Sequence, residues 1–286
     1  MTKYQLVQCF TLWAVIGCVS LAIGGEKTKN LKPMSDSDGQ WTLQSDYSDE
    51  FNHPKLDLTK WDNDPRDWGV WSWEPENSWT ANGNLHLRMQ YKKHTRASKI
   101  LFYTSGIIKS RAAPIKYGYF EARLKGAPRF PGVCPAFWVY RSYKNDSWTE
   151  IDFVELTEIS HKVRRIDTNL HAFHHPKLFN GERRMPGNHH IERRHWDAPW
   201  DPREGFHVYG CEWNEHQINW YIDGKLVNQA ENKYWDRPLD VVMSFGVRDP
   251  LKNKPSEEGF PTTFQVDYIR VWKMLSPNKP NAGDGK

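Results

Sequence analysis

Three carboxylic acids lie within one six-residue stretch of the chain, Glu150-Ile151-Asp152-Phe153-Val154-Glu155. In an extended strand alternate side chains share a face, so Glu150 and Asp152 point to the same side. Glu155, five positions after Glu150, falls on the opposite side of a regular strand. One extra residue at Phe153-Val154, inserted as a β-bulge, restores the alternation. We therefore predict that a bulge brings all three carboxylates onto one face.

Acids with this spacing can cleave a bond between two sugars. With one residue taken up by the bulge, the Cα atoms of Glu150 and Glu155 are roughly 13 Å apart at a rise of ~3.3 Å per residue. Side chains that lean together approach the ~5 to 5.5 Å carboxyl separation of retaining glycosidases, rather than the ~6.5 to 9.5 Å of inverting ones. Because each charge raises the pKa of its neighbours, the acids can take different roles. We expect Glu150 to attack an anomeric carbon, Asp152 to share a proton and position Glu150, and Glu155 to protonate the leaving oxygen.

Two other interpretations of the acidic stretch are a solvated surface strand and a cation site made of three carboxylates. A solvated strand would not normally interleave Phe153, Val154 and Leu156 with its acids. The apolar run Ala136-Phe137-Trp138-Val139-Tyr140 lies just upstream and indicates a buried neighbouring strand. The catalytic interpretation is therefore favoured.

The elements that must position these acids are strands. Asn82-Gly83 is a hairpin turn signal, and residues 85–89 alternate after it as in a strand. Segments 104–110 and 117–124 continue in the same way, and the sequence shows no sustained helical period with caps. It therefore predicts an all-β fold of two antiparallel sheets packed face to face. A sheet curved by bulges would offer a concave cleft long enough for a polymer.

The 286 residues include 15 Trp, far more than is usual in a soluble protein. Indole rings stack on the CH faces of sugars, so this excess suits a carbohydrate cleft, although about half of the rings could simply pack in the core. Trp68 and Trp71 lie in the turn-rich stretch 61–79, which either folds over the cleft or covers one end of the core. The net charge of +4 and the pI near 8.7 favour polyanions, which include nucleic acid, anionic membranes and sulfated polysaccharides.

The N-terminus has the pattern of an export signal. Lys3 precedes an apolar stretch that runs to about Ile23, which predicts a signal peptide at 1–24 and a leader or linker at 25–40. A lipoprotein-type site at Cys18 is the alternative. The protein is thus expected to be secreted or periplasmic, without a transmembrane span, which argues against a nucleic-acid partner.

Two cysteines remain once that segment is removed. Cys134 and Cys211 could pair in an exported protein, or they could be two buried strand thiols. The sequence has neither CxxC spacing nor a Cys/His cluster that would indicate zinc.

The acidic stretch resembles the catalytic signature of glycoside hydrolase family 16, in the form with one extra residue between the aspartate and the second glutamate. The similarity spans a domain at 41–273, followed by a C-terminal tail at 274–286. Further stretches are similar to the κ-carrageenase branch of that family: Cys134-Pro135-Ala136-Phe137-Trp138, Asn169-Leu170-His171-Ala172, residues 196–202, 206–212 and 232–235, and Val266-Asp267-Tyr268-Ile269-Arg270-Val271-Trp272. The resemblance implies a β-jelly roll, with Glu150 as nucleophile, Asp152 as assisting residue and Glu155 as acid/base.

The same resemblance implies contacts with a sulfated galactan. The residues expected to bind it are Trp68, Trp71, Trp138, His171, Arg183, Arg184 and Arg248. Arg248 matches the position that holds a galactose 4-sulfate, and its alternative is a structural salt bridge at a strand end. κ-Carrageenases have a Trp two residues before the position of Arg184, where this chain has Glu182, so one stacking platform is lost and an acid is gained.

The resemblance also implies a structural calcium ion, bound by the side chain of Asp267 and the backbone oxygens of Glu50 and Gly83. No cofactor is expected for catalysis, and the protein is expected to be a monomer.

The favoured function is endo-acting, retaining hydrolysis of β-1,4 linkages in κ-carrageenan. Furcellaran or hybrid β/κ-carrageenan follows closely because of Glu182, and porphyran and agarose come next. A galactan-binding lectin without activity is the alternative from another class.

Overall fold

The computed structural model describes residues 31–34, 39–143, 147–178 and 189–275. The predicted signal peptide with Cys18, most of the leader and nearly all of the C-terminal tail lie outside these ranges. So do Glu182, Arg183 and Arg184 of the basic loop. Within the described residues, no helix has the length and apolar character needed to cross a bilayer.

Strands account for nearly all of the regular structure in these ranges. They are β1 (Trp41–Leu43), β2 (Trp61–Asp62), β3 (Ser72–Trp73), β4 (Ser78–Ala81), β5 (Asn84–Arg96), β6 (Lys99–Ser105), β7 (Ile107–Ser110), β8 (Gly118–Lys125), β9 (Val133–Ser142), β10 (Trp148–Leu156), β11 (Arg165–Asp167), β12 (Leu170–Phe173), β13 (His189–Glu192), β14 (His195–Asp197), β15 (His207–Trp213), β16 (Gln217–Ile222), β17 (Lys225–Glu231), β18 (Asp240–Val247) and β19 (Thr262–Met274). Short 3-10 helices span Ser45–Tyr47, Pro75–Asn77 and Pro176–Leu178.

The described strands form two sheets, as predicted. The first has the order β17-β16-β15-β8-β19-β5-β6-β3, with β1 beside β19 and β4 beside β5. The second has the order β13-β12-β10-β9-β18-β7-β2, with β11 beside β10 and β14 beside β11. The pairs are antiparallel apart from β3 with β6, which run parallel. The fold is the two-sheet sandwich that the sequence predicts, in the β-jelly roll form that the family resemblance implies.

Apolar side chains from the inner faces of both sheets form the core. On β10, Ile151 and Phe153 are buried, and the Phe153 ring stacks on Phe120 of β8 at a centroid distance of 5.0 Å. Burying a large apolar side chain contributes roughly 1.5 to 3 kcal/mol. Among the described residues six tryptophans are fully buried, which confirms the core-packing interpretation for them: Trp61, Trp73, Trp213, Trp220, Trp235 and Trp272.

The predicted bulge is present in β10. Asp152 pairs with Trp138 of β9 and Val154 pairs with the next residue, Phe137, so Phe153 is the extra residue. Glu155 then pairs with Ala136 and returns to the face that carries Asp152. The prediction that one inserted residue aligns the three acids is confirmed.

Two buried indoles hold the bulged strand in place. Trp220 of β16, in the other sheet, donates from Nε1 to the backbone oxygen of Asp152 at 2.8 Å. Trp235 donates from Nε1 to the backbone oxygens of Glu150 at 2.8 Å and His171 at 3.1 Å. Because these bonds reach the carbonyls of the acidic residues themselves, they fix the backbone that carries the carboxylates.

Cys134 and Cys211 are free and buried, on β9 and β15. The sequence left open a disulfide or two buried thiols, and the structure has the two buried thiols.

Replacing Trp220 by Phe should lower the free energy of unfolding, since a phenyl ring keeps much of the packing but leaves the Asp152 carbonyl without its donor. Such an unsatisfied buried group costs about 1 to 3 kcal/mol. Urea unfolding of the variant and the wild type measures this loss. The matched control is Trp73→Phe, because Trp73 is equally buried and its Nε1 has no hydrogen-bond partner among the described residues. Equal losses in the two variants would show that the Trp220 bond contributes nothing.

Candidate active site

The three acids of β10 meet in a cleft on the open face of the second sheet, with a cavity of about 130 Å³. Strands β9, β10 and β18 and the loop before β3 line it. The lining residues are Trp68, Trp71, Cys134, Ala136, Trp138, Glu150, Asp152, Glu155, Ser244, Gly246 and Arg248. The structure thus brings together seven of the predicted site residues in this lining, and His171 lies beside the acids on β12.

Glu150 and Asp152 share His171 as a neighbour. His171 pairs with Glu150 across β10 and β12, and its Nε2 lies 3.7 Å from Glu150 Oε1 and 3.4 Å from Asp152 Oδ2. The side chain of Asp152 is only 4% exposed, whereas that of Glu150 is 18% exposed. Glu150 is therefore the more accessible acid of the pair.

Burial and mutual repulsion make this pair retain protons. Burial, followed by the charges of Asp152 and Glu155, raises the pKa of Glu150 well above its usual range. Burial and the charge of Glu155 raise the pKa of Asp152 to about 7, although His171 opposes the change. Burial alone would lower the pKa of His171, but the contact with Asp152 raises it overall. A proton held between Glu150 and Asp152 belongs to the pair rather than to either acid.

Glu155 has a different set of partners. Its Oε1 accepts a hydrogen bond from Arg248 Nη2 at 2.7 Å, and its Oε2 accepts one from Asn169 Nδ2 at 2.8 Å. The Cys134 thiol lies 3.8 Å from Oε1. The carboxylate is thus oriented on both oxygens and faces a full positive charge.

Arg248, at the end of β18, joins two acids. Its Nε donates to Glu158 Oε2, and its Nη1 donates to the backbone oxygen of Val247 at 3.2 Å. A Cβ atom on Gly246 would lie 2.6 Å from Nη1, so glycine makes room for the guanidinium. Arg248 therefore forms the salt bridge that the sequence offered as one alternative, while it also lines the cleft.

The acids fall into two groups whose potential ligand atoms lie within 4.8 Å of one another: Glu150, Asp152 and His171, and Cys134, Glu155 and Glu158. Each group already has a nitrogen partner, His171 in the first and Arg248 in the second. Arg248 supplies the positive charge that the cation-site interpretation would require from an ion in the second group, and His171 does so in the first group when it is protonated.

Tryptophans form the wall opposite the acids. Trp68 is 38% exposed and packs edge to face on Trp138 at 6.0 Å and on Trp73 at 4.9 Å. Trp71 and Trp138 are nearly buried, and Trp138 Nε1 donates to Ser244 Oγ at 3.0 Å. Both interpretations of the stretch 61–79 are therefore right for different residues. Trp68 offers a ring to the cleft, whereas Trp73 belongs to the core.

Of the residues predicted to bind calcium, Asp267 lies on β19 of the first sheet, Gly83 lies in the turn between β4 and β5, and Glu50 lies outside the strands. Asp267 Oδ2 accepts from Arg123 Nη1 at 2.6 Å, and both carboxylate oxygens of Glu50 accept from Arg270 at 2.8 Å. The carboxylate of Asp267 is thus already balanced by a guanidinium, which does not fit a cation without rearrangement. Calcium binding by Asp267 with the backbone oxygens of Glu50 and Gly83 stays a prediction.

Some residues in the cleft or beside it had no predicted role, among them Ser244 and Gly246 in the lining and Asn169 and Glu158 next to Glu155 and Arg248. Asn169 lies in a stretch that carried the family resemblance, and its place two residues before His171 could have indicated the site. Glu158 follows the acidic strand, but its contact with Arg248 depends on a residue 90 positions away, which leaves no local signal.

Comparison with known proteins identifies the family. The family model of the GH16 domain of β-porphyranases A–D matches residues 41–274. The κ-carrageenase of Pseudoalteromonas carrageenovora is 39% identical over 286 residues, covering 89% of this chain and 70% of that protein. Its crystal structure with an oligotetrasaccharide of κ-carrageenan superposes with a TM-score of 0.75 at 36% identity, covering 88% of this chain and 100% of that one. The κ-carrageenase zobellia_236 of Zobellia galactanivorans gives 0.74 at 31% identity, covering 86% and 100%. The chain therefore belongs to glycoside hydrolase family 16, in its κ-carrageenase-like branch.

Proposed function

We propose that the protein is an exported, endo-acting hydrolase that cleaves β-1,4 linkages in sulfated galactans with retention of configuration, and that κ-carrageenan is its first substrate. The observation that carries the proposal is the bulge in β10, which places Glu150, Asp152 and Glu155 on one face of an open cleft. The relatives support the substrate, since the names of two of them include κ-carrageenase.

The first half of the reaction uses both groups of acids. Glu150, with the shared proton on Asp152, attacks the anomeric carbon and forms a covalent glycosyl ester. Glu155 in its protonated form gives its proton to the glycosidic oxygen, so that the leaving sugar departs as an alcohol. The C–O bond to the leaving group breaks as the bond to Glu150 forms.

The second half regenerates the protein. Glu155, now a carboxylate, takes a proton from a water molecule, and the resulting oxygen attacks the same anomeric carbon. Glu150 leaves as a carboxylate, and the two inversions give net retention. Asn169 orients Glu155 through both halves, because its hydrogen bond reaches the oxygen that Arg248 does not.

Several polysaccharides are candidate substrates, and we rank them by the observations that favour each. Arg248 in the cleft and the relatives' names favour a sulfated galactan. Furcellaran or hybrid β/κ-carrageenan follows because Glu182 replaces a stacking tryptophan. Porphyran is next, since the matching family model is that of β-porphyranases. Export rests on the apolar N-terminal segment, and the complete set of acids favours an enzyme over a lectin.

Incubation with purified polysaccharides tests the proposal. We expect rapid shortening of κ-carrageenan, slower shortening of furcellaran and porphyran, and little or none of agarose, measured by size-exclusion chromatography. Early NMR spectra of the products should show the β-anomer first, as retention requires. If no polymer is shortened, the assignment as a galactan hydrolase is wrong.

Replacing Glu150 by Gln should lower kcat by roughly 10³-fold or more, since the nucleophile is lost while the side-chain shape is kept. Binding of κ-carrageenan, followed by affinity electrophoresis, should persist. The control is Glu76→Gln, at an exposed glutamate outside the cleft lining, which should retain full turnover. A Glu150→Gln protein that still cleaves at the wild-type rate would favour a different nucleophile.

The proton-sharing role of Asp152 has a measurable cost in stability. Its folded-state pKa of about 7 lies above the value of about 4 in an unfolded chain. The native protein then binds protons that the unfolded chain releases, so this group makes the free energy of unfolding fall as pH rises from about 4 to about 7. Asp152→Asn should flatten that decrease, which urea unfolding at several pH values measures. Asp64→Asn, at an exposed aspartate, serves as the control. An unchanged slope in Asp152→Asn would contradict the raised proton affinity.

A further inference from the structure

Glu158 lies just beyond the catalytic strand, and its carboxylate accepts a hydrogen bond from Arg248, which lines the cleft. Between Leu156 at the strand end and Glu158 stands Thr157, whose φ of 60° is in the left-handed region. A β-branched residue is rare there, because its side chain crowds the backbone. The Thr157 hydroxyl donates to the backbone oxygen of Val133 at 2.6 Å, which fixes the turn. The strained turn aims the Glu158 carboxylate at Arg248.

Glu155 and Glu158 both bind the guanidinium of Arg248. Arg248 Nε binds Glu158, and Nη2 binds Glu155. The side chains of Arg248 and Glu158 are 26% and 27% exposed, so solvent screens this arrangement only in part. Burial and then the charge of Glu155 raise the pKa of Glu158, while Arg248 opposes them. The two carboxylates therefore repel each other across the guanidinium that they share.

The sharing of Arg248 by two glutamates matters because a general acid must carry a proton. A guanidinium at 2.7 Å favours the carboxylate form of Glu155, which cannot donate to a leaving oxygen. A second carboxylate on the same guanidinium reduces that preference.

We propose that Glu158 is a positioning residue that holds Arg248 by its Nε and offsets part of its charge, so that Glu155 can keep the proton needed by the leaving sugar. This inference rests on the proposed function, in which Glu155 is the acid/base. Glu158 itself touches no reacting atom.

Other charged groups also face Glu155 and must be held constant in a test. Glu150 and Asp152 lie on its own strand, His171 on β12 and Asp167 opposite it on β11, and Cys134 contributes a thiol from β9. Arg248, Glu155 and Cys134 are the titratable groups that act on Glu158. A substitution at Glu158 changes none of these residues directly.

The experiment compares wild type, Glu158→Gln and Glu158→Asp by two readouts. The first is a ¹³C carboxyl NMR titration of Glu155 in the protein without substrate, assigned with Glu155→Gln. The second is the alkaline limb of the pH profile of kcat/KM on κ-carrageenan, which reports loss of the catalytic proton. In Glu158→Gln we expect the Glu155 midpoint and the alkaline limb both to move to lower pH by about one unit. Glu158→Asp, which keeps the charge, should leave the Glu155 midpoint and the alkaline limb close to their wild-type positions.

The matched control is Glu74→Gln, because Glu74 also pairs with an arginine, Arg96, at 2.9 Å but lies outside the cleft lining. It should move neither readout. If Glu158→Gln only lowers the free energy of unfolding, or if the Glu155 midpoint stays in place or rises, the proposal is wrong. The NMR titration does not depend on turnover, so a wild-type protein that cleaves no polysaccharide would overturn the proposed function separately from this inference.

Discussion

Repulsion among three acids on one strand is the constraint around which the cleft is built. Two unit charges 4 Å apart interact by about 4 kcal/mol at an effective dielectric constant of 20. Glu150, Asp152 and Glu155 are partly or fully buried, so water screens them weakly. The fold reduces this repulsion in two ways. Some of the acids retain protons, and others face a fixed cation. The indole bonds from Trp220 and Trp235 keep the strand from relaxing away from the crowding.

The bulge determines which acids share a proton and which acid faces a cation. Glu150 and Asp152, before Phe153, face His171 and retain a proton between them. Glu155, after Phe153, faces Arg248 and Asn169 instead. A single inserted residue therefore does more than align the carboxylates. It also turns the third acid towards a different neighbouring strand end, and this gives three chemically similar groups two environments suited to different proton-transfer roles.

The parts of the site that follow from local rules could be predicted from sequence, and those that depend on distant contacts could not. Strand alternation is local, so Phe153-Val154 indicated the bulge correctly. Burial is not local, which is why Trp68 in the cleft and Trp73 in the core looked alike in one turn-rich stretch. The partners of Arg248 lie 93 and 90 positions earlier in the chain, and no pattern near Arg248 encodes them. The left-handed backbone of Thr157, which brings Glu158 into place, is likewise hidden, because threonine seldom adopts it.

The salt bridge and the sulfate contact that the sequence set out as alternatives for Arg248 can coexist. A guanidinium has five N–H donors in a planar fork. Among the described residues, Arg248 uses one donor for Glu158, one for Glu155 and one for the Val247 carbonyl. The side chain is still 26% exposed and lines the cleft, so the remaining donors can meet an oxyanion from the open side. Without Arg248, a sulfate at this end of the cleft would meet the carboxylates of β10. The cation that stabilises the acids is thus also the group that would let a sulfated polymer approach them.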